Sequence, residues 1–338
     1  MVDRNASNEI VDALDAVLNC PRDVIELAVM TVAAGGHLLL EDIPGVGKTT
    51  LARAMAKVMA GTVHRVQFTP DMLPSDLTGV SIYDRRSENF VFRPGPLFAN
   101  IVIADEVNRA NPKTQSAMLE AMAERQVSAD GETHALPDPF FVVATQNPIE
   151  LEGTFPLPEA QLDRFMTCTS IGYPQEQAEV RTIAGTGQDD PLESLRQICS
   201  LDDMVRLRGQ ASQVHVSEDV ARYIVAIVNA TRVDGEIRFG ASPRAALALA
   251  AMARAHALMR NRDFVIADDV RTLVVPVLAH RLVLVNAHGD GGDERRRDIL
   301  DEVVNDIPVP RITERLHAMS ASDGSTKLRA AETSDALT

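Results

Sequence analysis

Along the chain, apolar residues switch between a helical spacing and short continuous runs. Between residues 11 and 33 they recur at the spacing of a helix face, which predicts one or two packed helices. Residues 37–40 form a short apolar run that stops at a Pro-Gly loop, and residues 51–59 return to helical spacing. A strand, a loop and a helix are therefore predicted in that order.

Two further apolar runs, residues 101–104 and 140–144, have the length of buried strands. A helical pattern at residues 114–124 lies between them, followed at 126–136 by a predicted hairpin with an Asp-Gly turn. Continuous apolar strands that alternate with helices favour a parallel sheet covered on both faces. The predicted fold class is therefore α/β.

The character of the chain changes after about residue 173, where strand-like runs largely disappear. Ser242 and Pro243 are typical of a helix start, and residues 268–285 are also predicted to be helical. The tail is rich in Ser, Thr, Ala and Asp without periodicity, which predicts disorder. The predicted boundaries are 1–173 for the α/β domain, 174–319 for a smaller all-α domain and 320–338 for the disordered tail.

The formal net charge of the 338 residues is −15. An acidic chain repels phosphate backbones and lacks the electrostatic footprint of a nucleic-acid-binding protein. Cys20, Cys168 and Cys199 show neither CxxC spacing nor His pairing, which favours reduced thiols over disulfides or a metal site. The most apolar late stretch, residues 272–285, is interrupted by Pro, His and Arg and is too short to span a bilayer. Because no apolar run follows the first methionine, a cytoplasmic protein is expected.

Residues 42–50 lie between the first predicted strand and its helix, and they match a phosphate-binding loop except that Asp42 replaces the first glycine. Glycines allow main-chain amides to curl around a polyphosphate, and the helix N-terminus adds partial positive charge. Lys48 is expected to reach the β- and γ-phosphates and Thr49 to coordinate Mg²⁺, while the Asp42 carboxylate must point away. The predicted nucleotide-binding residues of the loop are Pro44, Gly45, Val46, Gly47, Lys48, Thr49 and Thr50.

Two acids, Asp105 and Glu106, directly follow the apolar run 101–104. In parallel sheets, ligands bind at the carboxyl ends of the strands. Asp105 is therefore predicted to hold the Mg²⁺ shell, and Glu106 is predicted to polarise the attacking water as the general base. An isolated pair of acids after a strand is commonly only solvated, so the catalytic interpretation depends on the phosphate loop upstream.

Three further polar residues are weaker candidates on their own. Asn147 follows the third strand, where its amide can orient water beside the γ-phosphate, although Asn before Pro148 is also an ordinary turn. Arg164 offers a rigid guanidinium fork suited to phosphate, although a surface ion pair with Asp163 is the simpler alternative. Arg244 lies in the first turn of a predicted helix, where the helix dipole disfavours a cation, and this position hints at a partner anion.

These motifs, in this order, resemble the AAA+ ATPases and most closely the MoxR family. The likeness extends over roughly residues 10–310, and the stretches 67–79 and 92–110 are specific to this family. It is carried by residues 39–49, 67–79, 92–100, 104–110, 144–148 and 157–165.

The resemblance implies an AAA+ core followed by an all-α lid domain, with ATP and Mg²⁺ as cofactors. It also implies two hairpin inserts, at residues 80–92 and 126–136. Arg109 is an alternative to Arg164, which matches the family's arginine finger, as the arginine that contacts a neighbouring subunit. The Val-Gly-Gln that lies near the adenine pocket in this family is replaced by residues 19–21, Asn-Cys-Pro, so adenine contacts are not assigned. By position, Lys48 and Thr49 match the Walker A pair, Asp105 and Glu106 match Walker B, Asn147 matches sensor 1, Arg164 the arginine finger and Arg244 sensor 2.

Members of this family are thought to act as chaperones that remodel or activate partner proteins. For this chain the resemblance implies a homohexameric ring ATPase whose client carries a von Willebrand factor A domain or is a metalloenzyme under maturation. One alternative is a magnesium-chelatase-like motor subunit. A nucleic-acid-loading ATPase is disfavoured by the acidic charge, and a catalytically silent nucleotide-binding scaffold is disfavoured by the pair Asp105 and Glu106.

Overall fold

A computed structural model describes residues 6–42, 45–147, 153–173, 191–286 and 291–310 of the chain, together with Glu176 and Val180. The fold lies within one compact unit that ends at Ile307. The predicted phosphate-loop residue Pro44 and the predicted disordered tail at 320–338 fall outside the described residues.

The secondary structure alternates between strands and helices in the first half of the chain and is mainly helical in the second. The strands are β1 Leu38–Glu41, β2 Val63–Gln67, β3 Gly79–Asp84, β4 Asn89–Pro94, β5 Ile101–Asp105, β6 Gln126–Ala129, β7 Glu132–Ala135, β8 Phe141–Gln146, β9 Thr167–Thr169, β10 Ile237–Phe239 and β11 Val283–Leu284. The α-helices are α1 Ala6–Asp15, α2 Arg22–Ala33, α3 Lys48–Val58, α4 Pro74–Thr78, α5 Pro112–Glu124, α6 Glu159–Leu162, α7 Leu201–Gln213, α8 Glu218–Val233, α9 Pro243–Met259, α10 Ala267–Leu278 and α11 Gly291–Asp306.

The central sheet is parallel, in the order β2-β5-β8-β1-β9. Its middle strands are continuous apolar runs because both of their faces are covered, and every residue of β5 is buried. Along β1, Leu38 and Leu40 join a core that contains residues of α1, α2, α3 and the later helices, whereas Leu39 joins a second core with α5. The predicted α/β fold class is confirmed by this sheet and its flanking helices.

Two β-hairpins project from the α/β part of the chain. In the first, β3 pairs antiparallel with β4, and in the second, β6 pairs antiparallel with β7. The turn of the second hairpin is Asp130-Gly131, and both residues have positive φ, as a two-residue hairpin turn of type I′ requires. Phe92 of β4 stacks on His134 of β7 with ring centroids 3.9 Å apart, so the two hairpins are in direct contact.

The C-terminal part forms a helical lid, as the resemblance implied. Its helix α9 begins as predicted, because Ser242 caps the helix by accepting from the Ala245 amide and Pro243 is its first residue. The helix predicted over 268–285 is shorter than expected. Helix α10 contains Pro276, which provides no amide donor, and the helix ends two residues later, before a 3₁₀ turn and strand β11.

The three cysteines are free thiols, as expected from their spacing. Among the described residues, no helix combines the length and the apolar character that crossing a bilayer requires.

Candidate functional site

The phosphate loop connects β1 to α3, as the sequence predicted for residues 42–50. Gly45 and Gly47 have φ values of 89° and 95°, a conformation that side chains other than glycine rarely adopt. A Cβ atom placed on either glycine would have no neighbour within 4 Å among the described atoms, so the requirement for glycine comes from the backbone. Val46 packs partly against the core, and α3 begins at Lys48 with its N-terminus facing the loop.

The Asp42 side chain points away from the loop, as the phosphate-binding interpretation required. Its Oδ2 accepts hydrogen bonds from the Ile171 amide at 2.6 Å and the Gly172 amide at 2.9 Å. The main-chain oxygen of Asp42 accepts a hydrogen bond from Lys48 Nζ at 2.8 Å. Removal from water lowers the pKa of Lys48, while the charges of Asp42, Asp105 and Glu106 act in the opposite direction.

Asp105 ends β5 and is buried at the edge of the phosphate loop. Its Oδ2 lies 2.6 Å from Nε of Arg65, which reaches across from the neighbouring strand β2. Thr145 Oγ1, at the end of β8, donates to Asp105 Oδ1 at 3.4 Å. The carboxylate is thus held by side chains from the two strands on either side of β5.

Glu106 has a left-handed backbone conformation, with φ of 56° and ψ of 52°. Such a conformation is uncommon for a residue other than glycine and is often found at functional sites. The Glu106 amide donates to Thr145 Oγ1 at 2.9 Å. Its carboxylate oxygen Oε2 accepts from Gln67 Nε2 at 2.7 Å and pairs with Arg109 Nε at 2.9 Å. Arg109, the competing interface arginine, therefore contacts Glu106 of its own subunit.

The structure brings most of the predicted site residues together in one pocket of about 310 Å³. Asn147 is buried at its wall, and its main-chain oxygen accepts from Asn108 Nδ2 at 3.4 Å. Arg65, Gln67 and Thr145 also line the pocket, although no role was predicted for them. The lining residues are Gly45, Gly47, Lys48, Thr49, Thr50, Arg65, Gln67, Asp105, Glu106, Thr145 and Asn147.

Arg164 and Arg244 do not line this pocket. They lie together in a different groove of about 370 Å³, which Arg125 and Arg281 also line. Burial lowers the pKa of Arg281 to about 10; the charge of Asp163 opposes this shift and the charge of Arg244 adds to it. Four arginines against one aspartate give this groove a positive charge.

Asp163 and Arg164, for which an ion pair was the simpler alternative, each contact other residues. Arg164 Nη1 donates to the main-chain oxygen of Leu119. Asp163 Oδ1 lies 2.9 Å from Arg281 Nε, and Asp163 Oδ2 accepts from Ser242 Oγ at 3.0 Å. Arg244 is exposed and has no hydrogen-bond or ion-pair partner in the described part of the chain.

The pocket that Lys48 and Asp105 line is called the phosphate pocket below, and its oxygen ligands fit Mg²⁺. This ion prefers oxygen ligands and is usually held by one or two carboxylates together with phosphate oxygens and water. Thr49 supplies a hydroxyl and Asp105 a carboxylate to the same pocket. Within the described ranges, no group of three or more His, Cys, Asp or Glu side chains forms an all-protein metal cage.

The comparisons with known proteins cover nearly the whole described chain. Residues 37–167 match the ATPase family associated with various cellular activities (AAA), and residues 229–303 match an AAA lid domain. A solved structure of a putative ATPase from Cytophaga hutchinsonii superimposes with a TM-score of 0.81 at 36% identity, covering 91% of this chain and 96% of that one.

Curated relatives extend the likeness over both parts of the chain. The protein YeaC of Bacillus subtilis is 45% identical over 89% of this chain and 93% of its own length. Chaperone MoxR1 of Mycobacterium tuberculosis is 42% identical over 86% of this chain and 78% of its own length. Protein MoxR of Paracoccus denitrificans is 31% identical, with 88% and 94% covered. The fold, the phosphate pocket and these relatives agree, and the chain belongs to the MoxR family of AAA+ ATPases.

Proposed function

We propose that this protein binds and hydrolyses ATP with Mg²⁺ and uses the energy as a cytoplasmic chaperone that remodels or activates a partner protein. One observation carries the ATPase proposal: Lys48, Thr49, Asp105, Glu106 and Asn147 line the same pocket. The ends of two strands, β5 and β8, and the N-terminus of α3 supply these residues, which is the arrangement that phosphoryl transfer to water requires.

Each residue has a role that its chemistry supports. Lys48 and the main-chain amides of the glycine loop bind the phosphates, with Thr50 lining the same wall. Thr49 and Asp105 hold Mg²⁺, which neutralises charge on the phosphate oxygens when it is bound. Glu106 accepts a proton from the attacking water.

Asn147, which lines the same pocket, orients that water through its side-chain amide. Gln67 and Arg109 hold the Glu106 carboxylate in place through hydrogen bonds to its Oε2.

Arg164 and Arg244 are proposed to act on the nucleotide of a neighbouring subunit. Their placement in a separate positive groove supports this, because they do not line the phosphate pocket of their own chain. An arginine supplied in trans stabilises the charge that develops during phosphoryl transfer. The protein is accordingly proposed to form a homohexameric ring in which each site lies between two subunits.

The proposal that the client is a protein rests on the family and on the first hairpin. Chaperone MoxR1 is a relative over most of this chain. Tyr83 and Phe90, which face each other across this hairpin, are 51% and 68% exposed, and solvent-exposed aromatic residues are common at protein contacts. A von Willebrand factor A domain protein, or a metalloenzyme during maturation, is the proposed client class.

Lys48→Ala is expected to weaken ATP binding by about tenfold to a hundredfold, because a charged hydrogen-bond donor to the phosphates is lost. Isothermal titration calorimetry measures this directly. Lys113→Ala, which removes an exposed lysine at the start of α5, is the matched control and should bind as the unchanged protein does. Equal ATP affinity in the two variants would show that Lys48 does not bind the phosphates.

Shortening the first hairpin turn, residues 84–88, is expected to abolish client binding and client stimulation while basal ATP hydrolysis and assembly survive. The hairpin strands remain, and Phe92 keeps its stacking contact with His134. Replacing the exposed lid residues Val233 and Phe239 by Ser provides a control for a surface change outside the hairpin. If client coupling is unchanged or the ring dissociates, the hairpin is not the client contact.

A further inference from the structure

The two acids of the phosphate pocket have different partners. Arg65 Nε lies 2.6 Å from Asp105 Oδ2, whereas Glu106 Oε2 is held by Gln67 and Arg109. Lys48 donates to the main-chain oxygen of Asp42 and to neither acid. In the described part of the chain, Arg65 is therefore the cation that is paired with Asp105.

The position of Arg65 allows it to leave Asp105. Strand β2 is an edge strand, and the Arg65 side chain is 57% exposed, so water can solvate the guanidinium once it withdraws. The Asp105 side chain is only 9% exposed and receives the Thr145 hydroxyl from the other side. The carboxylate is fixed, and the arginine is the partner that can move.

Arg65 and a bound Mg²⁺ compete for the same carboxylate, that of Asp105. Mg²⁺ binds oxygen ligands at about 2.0–2.1 Å and in near-octahedral geometry, so it needs a free lone pair of Asp105. A guanidinium hydrogen-bonded to Oδ2 occupies that carboxylate and repels a divalent cation. A phosphate chain without metal has the opposite preference, because it is attracted to Arg65 and repelled by an unpaired Asp105.

We infer that Arg65 is an exchangeable counter-ion of the metal site, which neutralises Asp105 when nucleotide binds without Mg²⁺ and withdraws when Asp105 binds the metal. This inference rests on the proposed function, since it takes Asp105 as a Mg²⁺ ligand. Its consequence is that Arg65 sets how strongly nucleotide affinity depends on Mg²⁺. A purely structural contact between β2 and β5 would have no such consequence.

Binding of ADP to the full-length protein tests the inference without any hydrolysis. Titration calorimetry gives the dissociation constant in EDTA and in excess Mg²⁺, and the ratio of the two values is the readout. Arg65→Ala is expected to bind ADP about fivefold more weakly in EDTA, the upper range for one partly exposed charge pair. In Mg²⁺ it is expected to bind at least as tightly as the unchanged protein, so the ratio rises by about fivefold or more.

The control variants distinguish the loss of the positive charge at position 65 from misfolding and from a change in the net charge of the protein. Arg65→Lys keeps the positive charge and is expected to keep a ratio close to that of the unchanged protein. Arg65→Gln keeps much of the length without the charge and decides the question if Arg65→Ala does not fold. Arg206→Ala is a matched control, because Arg206 is 58% exposed, pairs with one aspartate, Asp203, and does not line the pocket.

Two negative outcomes have different meanings. If the unchanged protein binds ADP more tightly with Mg²⁺ but the ratio in Arg65→Ala and Arg65→Gln stays the same or falls, the counter-ion role of Arg65 is wrong and the proposed ATPase site stands. If the unchanged protein does not bind ADP, or binds it equally in EDTA and in Mg²⁺, the proposed metal site at Asp105 fails and the role of Arg65 fails with it.

Discussion

Glu106→Gln should bind ATP with nearly unchanged affinity and hydrolyse it at least about a hundredfold more slowly, the usual contribution of a positioned base. Glutamine has the same length and keeps an oxygen that can accept from Gln67 and Arg109, but its amide cannot take a proton from water. Since the carboxylate does not need to touch the phosphates in this arrangement, binding and turnover are expected to separate.

Steady-state phosphate release and calorimetric ATP binding measure the two quantities on the same preparation. Glu124→Gln is the matched control, because Glu124 is an exposed glutamate at the end of α5 and does not line the phosphate pocket. Turnover by Glu106→Gln at the rate of this control would show that Glu106 is not the general base. Loss of ATP binding together with turnover would instead give Glu106 a structural role.

The strands of the central sheet that the sequence predicted are those that are buried on both faces. β1, β5 and β8 are the three middle strands of the sheet, so each is a continuous apolar run that stands out against its surroundings. The two edge strands carry a weaker signal. β2 has only Val66 buried, and β9 is three residues long with a buried polar residue, Thr167, that bonds to Thr31.

The missed edge strand explains two of the three missed site residues, Arg65 and Gln67. Arg65 and Gln67 alternate with Val66 along β2, so both are polar residues on the side that meets the acids of β5. No role was predicted for them, because their contacts with the two acids depend on the parallel register that places Gln67 opposite Asp105. A polar residue at every second position of a strand next to the acidic pair was the available signal.

The sequence motifs also did not predict where Arg164 and Arg244 lie in the fold. Arg164 and Arg244 are 80 positions apart in the chain, and only the contact between the α/β part and the lid places them in one groove. Ser242 Oγ donates to Asp163, which connects the start of α9 to the residue before Arg164. The groove therefore depends on tertiary packing, and no local pattern in the sequence encodes it.

Mixing Arg164→Ala subunits with Glu106→Gln subunits should restore ATP hydrolysis, although each variant alone is nearly inactive. An arginine supplied in trans is typically worth about a thousandfold or more in rate, so losing it is as severe as losing the base. In a ring of randomly mixed subunits, about a quarter of the interfaces combine an intact Glu106 with an intact neighbouring Arg164. Activity per subunit should then rise to about that fraction of the activity of the unchanged protein.

The matched control mixes Arg164→Ala with the double variant Arg164→Ala, Glu106→Gln, because no interface in that ring contains the arginine. Native mass spectrometry checks that subunits exchange and that the ring is hexameric with ATP. Recovery only in the first mixture requires that Arg164 and Glu106 of one active site come from different chains. If well-mixed rings stay inactive, Arg164 and Glu106 of one active site do not come from neighbouring subunits, and the proposed role of Arg164 in trans is wrong.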